Sequence, residues 1–236
     1  MAFNQHSLKM VEHGIYSVLV APLLAFFLIL YMNYRFKVQT NRYLLYALLF
    51  GLLSTALIFG GQMLAEVTEL DHLRNLKRTA FYGIVLMAFT GELGKFIFLR
   101  YYFLPMKEFS GPIDGIIYAI LIGLGFATAA TLLLDLGIIG ARVDLLYLYT
   151  YPIANVIFAI IMGFFVGLGK TRKNKAIDSL TGLFAATVFH GLYIFSFLTT
   201  DFRLLIIFAI GSIIIVFLLI AKALNIKAED KLNQTP

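Results

Sequence analysis

The stretch Ala88–Thr131, AFTGELGKFIFLRYYFLPMKEFSGPIDGIIYAILIGLGFATAAT, decides the fold class. It contains two long apolar runs, each interrupted where a lipid-facing helix carries neither charge nor glycine. In the first run Glu92 and Lys95 stand three positions apart near the middle of a segment otherwise able to span a bilayer. A charge at that depth costs several kcal/mol, so it faces protein rather than lipid and marks a pathway or a site. The second run carries Gly123, Gly125, Ala127, Ala129 and Ala130, small residues that let neighbouring backbones approach closely.

The rest of the chain agrees with a membrane reading. Of 236 residues 61% are hydrophobic and 14% charged, with a mean hydropathy of +0.89; soluble domains average about 45–50% apolar and about 25% charged. Apolar runs at about 15–33, 43–65, 80–104, 113–136, 145–169, 179–198 and 202–224 each approach the ~20 residues needed to cross the hydrocarbon core. The expectation is an all-α, polytopic bundle of about seven transmembrane helices in one domain, 1–226, followed by a polar tail, 227–236. The run at 15–33 is too long for a cleaved signal peptide and reads as the first span. Arg35, Lys37, Arg42, Arg100, Lys107, Lys170, Arg172, Lys173, Lys175, Lys222, Lys227 and Lys231 fall on one face. Lys9, Arg74, Lys77, Arg78, Arg142 and Arg203 fall on the other. The positive-inside bias then sets the N-terminus outside and the C-terminus in the cytoplasm. That placement in short loops also accounts for the net charge of +6 as membrane orientation, with no nucleic-acid partner. The connection 66–79, with Leu70, Leu73 and Leu76, reads as a short amphipathic surface helix. With no tryptophan, an interfacial belt falls to Tyr31, Tyr34, Tyr43, Tyr101, Tyr102, Tyr147 and Tyr149. The absence of cysteine excludes disulfides, thiolate metal sites and a cysteine nucleophile.

At ~1.5 Å rise per residue, Glu92, Asn155, His190 and the 123–128 segment fall in one slab near mid-membrane, where they could face a common cavity. Each also has a structural reading. Glu92 and Lys95 at i,i+3 can neutralise each other, His190 can be a hydrogen-bonded core histidine, and the glycine run can be helix packing alone. Asp114 and Asp135 sit near the two ends of one span, about 25 Å or more apart, where capping or interfacial water suits them.

Taken together these segments resemble a family. Gly91-Glu92-Leu93-Gly94-Lys95 is similar to the Glu-Glu-x-x-Lys motif of the PrsW family of intramembrane metalloproteases, related to the CAAX-processing and bacteriocin-processing proteases. The resemblance continues through Asp114-Gly115-Ile116-Ile117-Tyr118, Gly123-Leu124-Gly125-Phe126-Ala127, Asn155 to Gly167, and Phe184 to Tyr193 with His190. It covers about residues 88–195, within a PrsW-like core of about 80–198. It implies catalytic roles for Glu92, Lys95 and His190, metal ligation by Glu92 and His190, and supporting roles for Asp114, Gly125 and Phe126. It also implies a prokaryotic inner (cytoplasmic) membrane, with membrane lipid and a membrane-protein partner or transmembrane substrate around the protein.

The departures from the family pattern are at its ligand positions. Where the family has a first glutamate this chain has Gly91; the later Glu-Asn pair reads Ala130-Thr131; the first histidine is Asn155. A catalytic zinc takes three protein ligands and an open position, with a carboxylate as general base. One carboxylate and one imidazole fall short of that. The expectation is a non-catalytic pseudoprotease, with no cofactor, that binds or scaffolds a membrane partner. Two alternatives stand beside it: an active divergent metalloprotease holding zinc, and a small ion- or proton-coupled transporter using Glu92, Lys95 and His190.

Overall fold

The computed structural model describes residues 18–31, 34, 41–140 and 144–232. These residues form helices α1 (Val18–Tyr31), α2 (Asn41–Val67), α3 (Leu76–Phe103), α4 (Pro112–Asp135), α5 (Leu145–Thr171), α6 (Lys175–Leu198) and α7 (Phe202–Leu232). From α2 onward all six are long and apolar enough to cross a bilayer, and α1 is the described part of the 15–33 run. The ends of that run, and residues 233–236 of the tail, lie outside the described residues. The protein is a multi-pass, all-helical membrane protein. The connections 68–75 and 199–201, and the described residues 136–140 and 144, share one face, here the opposite face; 104–111 and 172–174 share the other, the basic face.

Helix α5 is the axis: 78% of its most apolar stretch is buried, against 6% for α7. Helix α4 is clamped between α5 and α2 by glycines that allow backbone to touch backbone. A Cβ at Gly115 would press into the carbonyl oxygen of Gly163, and one at Gly125 into that of Leu48. Close approach of this kind is what small residues contribute in a bilayer, where apolar surface alone does not drive helices together. Helix α4 starts with Pro112 in its first turn, where the missing N–H has no helical partner to lose.

Helix α3 is not a uniform α-helix. Residues Tyr82–Phe89 and Leu99–Phe103 are wound as π-helix on either side of an α-helical centre, Thr90–Phe98. Such i→i+5 segments interrupt the α register and gather at functional sites. Here the α-helical centre turns Gly91, Glu92, Gly94, Lys95 and Phe96 inward together. Nothing in the residue pattern signals it.

The connection 66–79 corrects the amphipathic-helix expectation. Helix α2 runs on to Val67, a series of turns follows, and α3 already begins at Leu76 behind the cap Asn75, whose side chain accepts from the Arg78 amide. Leu70 and Leu73 pack on the core while Leu76 is exposed, so the three leucines share no stripe. The tyrosine belt is also narrower than expected: Tyr101 is exposed, but Tyr147 is buried and stacks on Tyr151.

On the opposite face Gln62, buried near the end of α2, joins three elements. Its amide oxygen accepts from the Tyr82 hydroxyl (2.8 Å) and from the backbone N–H of Gly140 (3.1 Å), and its Nε2 donates to Glu66 (2.8 Å). Leucine at 62 would keep the volume and orphan both donors. Since each unmet buried group costs about 1–3 kcal/mol, Gln62→Leu is expected to lose about 2 kcal/mol or more in detergent unfolding. A variant as stable as the parent would show that the network contributes nothing.

Candidate functional site: a buried carboxylate, ammonium, amide and imidazole

Four of the residues singled out from sequence meet in the bundle centre. Helix α3 supplies Glu92 and Lys95, α5 supplies Asn155, and α6 supplies His190. Glu92, Asn155 and His190 are fully buried and Lys95 is 3% exposed. Lys95 Nζ forms an ion pair with Glu92 Oε1 and donates to Asn155 Oδ1 at 2.9 Å. His190 Nδ1 lies 2.7 Å from the same Glu92 Oε1. A carboxylate only accepts, so Nδ1 is the donor there. Asn155 completes the set by donating Nδ2 to the Tyr151 carbonyl at 3.0 Å.

Aromatic rings enclose these groups. The Lys95 ammonium lies 4.5 Å from the Phe126 ring centroid, within cation–π range, and His190 stacks on Phe158 at 4.6 Å. Phe158 and Tyr151 escape a reading of the sequence for charges. Their spacing, three after and four before Asn155 on one helix, is the signal that would have found them.

The four do not line a shared cavity, as their common depth suggested. A gap beside Glu92 and Lys95, bounded by Leu99, Ala119 and Met162, is too small for a water molecule. Two of the cluster's own polar atoms nonetheless lack a partner among the described residues: Glu92 Oε2 and His190 Nε2.

The other family-equivalent positions divide. Position 91 faces the site: a Cβ on Gly91 would stand 3.6 Å from His190 Cε1 and 3.1 Å from the tip of Phe126, so Phe126 fills the space beside it. Ala130 and Thr131 are buried on α4, and the Thr131 hydroxyl has no partner among the described residues. Gly125 belongs to the α2–α4 crossing rather than to the site. Asp114 lies outside it too. Its carboxylate accepts from the Ser110 amide (2.7 Å) and hydroxyl (2.5 Å), tying down the start of α4 near the basic face. Asp135 is exposed at the far end of α4, so neither aspartate joins Glu92.

These residues do not fit a catalytic metal. Among the described residues no three His, Cys, Asp or Glu side chains come together. Glu92 Oε2 and His190 Nε2 could offer two donors, one short of the usual three. Asn155 has its oxygen on Lys95 and its nitrogen on Tyr151. Lys95 Nζ occupies the other carboxylate oxygen, Glu92 Oε1, which leaves Oε2 alone for a ligand.

Comparison with known proteins supports the family resemblance. The family described as PrsW family intramembrane metalloprotease matches residues 39–222. A Protease PrsW of Oceanobacillus iheyensis is 31% identical over 119 residues, 49% of this chain and 53% of that protein, so the match spans about half its length. A Protease PrsW of Geobacillus kaustophilus is 26% identical over 175 residues, 74% of this chain and 75% of that protein. No solved structure matches. A family match that runs from the start of α2 into α7 and takes in the whole four-residue cluster makes this chain a member of the PrsW family of intramembrane metalloproteases.

Proposed function

We propose that this chain is a non-catalytic member of its family, a pseudoprotease that keeps the bundle and uses it to bind a membrane partner. The observation that carries the reading is the donor set. Among the described residues Glu92 Oε2 and His190 Nε2 stand unpartnered with no third carboxylate, imidazole or thiolate beside them, and Asn155, at the family's first histidine position, is engaged by Lys95 and the Tyr151 carbonyl. Support also comes from Phe126, packed where a side chain at position 91 would begin. Without a metal or an activated nucleophile the set does structural work: it joins α3, α5 and α6 through directed hydrogen bonds in a place where unpaired groups are costly. The same reading takes the protein to a prokaryotic inner membrane, basic face in the cytoplasm, on the strength of its loop charges and its bacterial relatives.

An active, divergent zinc protease is the second reading, favoured by the partnerless Glu92 Oε2 and His190 Nε2. Metal analysis of protein purified without chelators separates the two. The expected result is no stoichiometric zinc, and a melting temperature that EDTA leaves unchanged. About one zinc per chain, lost in both Glu92→Gln and His190→Ala, would overturn the pseudoprotease reading.

A further inference from the structure

A cavity of about 150 Å³ stands directly over the buried polar cluster, on the side toward the opposite face. Its floor is set by helical register. Met87 lies five residues before Glu92 on α3, Tyr151 four before Asn155 on α5, and Ile194 four after His190 on α6; all three line the cavity. Because α3 and α5 run away from the opposite face and α6 runs toward it, each offset is about one turn in the same direction. The mouth is marked by Asp144 and Thr200, both exposed where α5 begins and just past the end of α6. On one side the mouth is bounded by Gly140, which Gln62 holds in place through its backbone N–H.

We propose that this cavity is a recognition pocket for one bulky apolar side chain, aromatic or branched aliphatic, on a partner segment that meets the bundle at the opposite face. Size and wall chemistry argue for that occupant. An apolar cavity of about 150 Å³ takes a group the size of benzene, which is one side chain and far less than a lipid tail. The walls are aliphatic and aromatic, with Tyr147 stacked on Tyr151 at 5.2 Å as a flat side against which a ring can lie. Apart from the phenol groups of Tyr82, Tyr147 and Tyr151, the polar side chains among the described lining residues are Asp144 and Thr200 at the mouth, where a peptide backbone would lie. An anchor side chain in a desolvated pocket is the usual centre of a protein–protein contact. The pocket deepens the binding role proposed above by naming what the partner offers.

The chain has no cysteine, so an introduced thiol is a clean reporter. Ile194→Cys at the floor and, should that variant not fold, Phe197→Cys in the wall are treated with a small maleimide in detergent. The competitors are N-acetyl-phenylalaninamide, N-acetyl-leucinamide, N-acetyl-alaninamide and decanoate. The thiol is expected to react, and the phenylalanine or leucine amide at about four times its dissociation constant to slow it about fivefold. The alanine amide should leave the rate unchanged, and Leu198→Trp, which fills the wall from a half-buried position, should abolish protection. A thiol that never reacts, equal protection by the alanine amide, or protection by decanoate alone would each overturn the side-chain pocket, the last by assigning the cavity to lipid tails. Zinc measured on the same preparations tests the non-catalytic reading independently: zinc with intact protection would sink that reading and leave the pocket standing.

Discussion

Glu92→Ala is expected to destabilise this protein by about 3–5 kcal/mol, the range for removing one partner of a buried ion pair. The loss would come from what remains. Lys95 would be left almost fully buried with Asn155 Oδ1 as its acceptor among the described residues, and the His190 Nδ1 donor would lose its partner. The discriminating variant is the double replacement Glu92→Met/Lys95→Met. Exchanging a buried pair for apolar residues of similar volume is often close to neutral, although Asn155 and His190 would each give up a bond worth about 1 kcal/mol. The double variant should therefore recover about half or more of the loss in an SDS or thermal unfolding series. Parental stability in Glu92→Ala would refute the structural role. A double variant as weak as the single one would show that uncompensated charge is not the cause.

The second large effect belongs to a residue without a side chain. Gly125→Ala would drive a methyl group into the Leu48 carbonyl and to 3.1 Å from Gly51 Cα. Both obstacles are backbone, so no rotamer change relieves them and α2 must move away from α4. Overpacking costs about 1–3 kcal/mol where side chains can give way, and this substitution should lie at or above the top of that range. Gly60→Ala is the matched control on α2. Nothing lies within 4 Å of the position its methyl would take, so it should be neutral or gain up to about 1 kcal/mol from helix propensity. The pair is read from melting temperatures in one detergent. Equal shifts would mean that close backbone contact does not govern the crossing.

Much of this was legible in the residues. Span number and length follow from hydropathy, because a bilayer imposes a thickness that soluble folds lack. The meeting of Glu92, Lys95, Asn155 and His190 was foreshadowed by their common depth. What sequence could not supply was azimuth, the direction each residue faces around its helix. Depth is a sum over residues, whereas azimuth depends on an unbroken 3.6-residue period, and the π segments in α3 break it. For the same reason Gly125, one residue from Phe126, turned out to serve the α2–α4 contact, while Phe126 reached the ammonium. The 66–79 connection misled for a different reason: three leucines at helical spacing predict a helix only where the backbone continues as one. Here Glu69 adopts a positive φ of 55° and breaks it.

The sparse packing of α7 has a mechanical consequence. Near the basic face Val216, Leu219, Ile220 and Ala223 lie against Ile116, Ile160 and Phe164. At the level of His190 the aromatic contact is a single ring, Phe208, which reaches Phe158 and Tyr193. Beyond it an apolar groove separates α7 from α5. Held at its start by the three-residue connection 199–201 and near its other end by that packing, α7 is least supported between the two. There Phe208 is its aromatic contact with the ring that covers His190, and the groove beside it faces lipid rather than water.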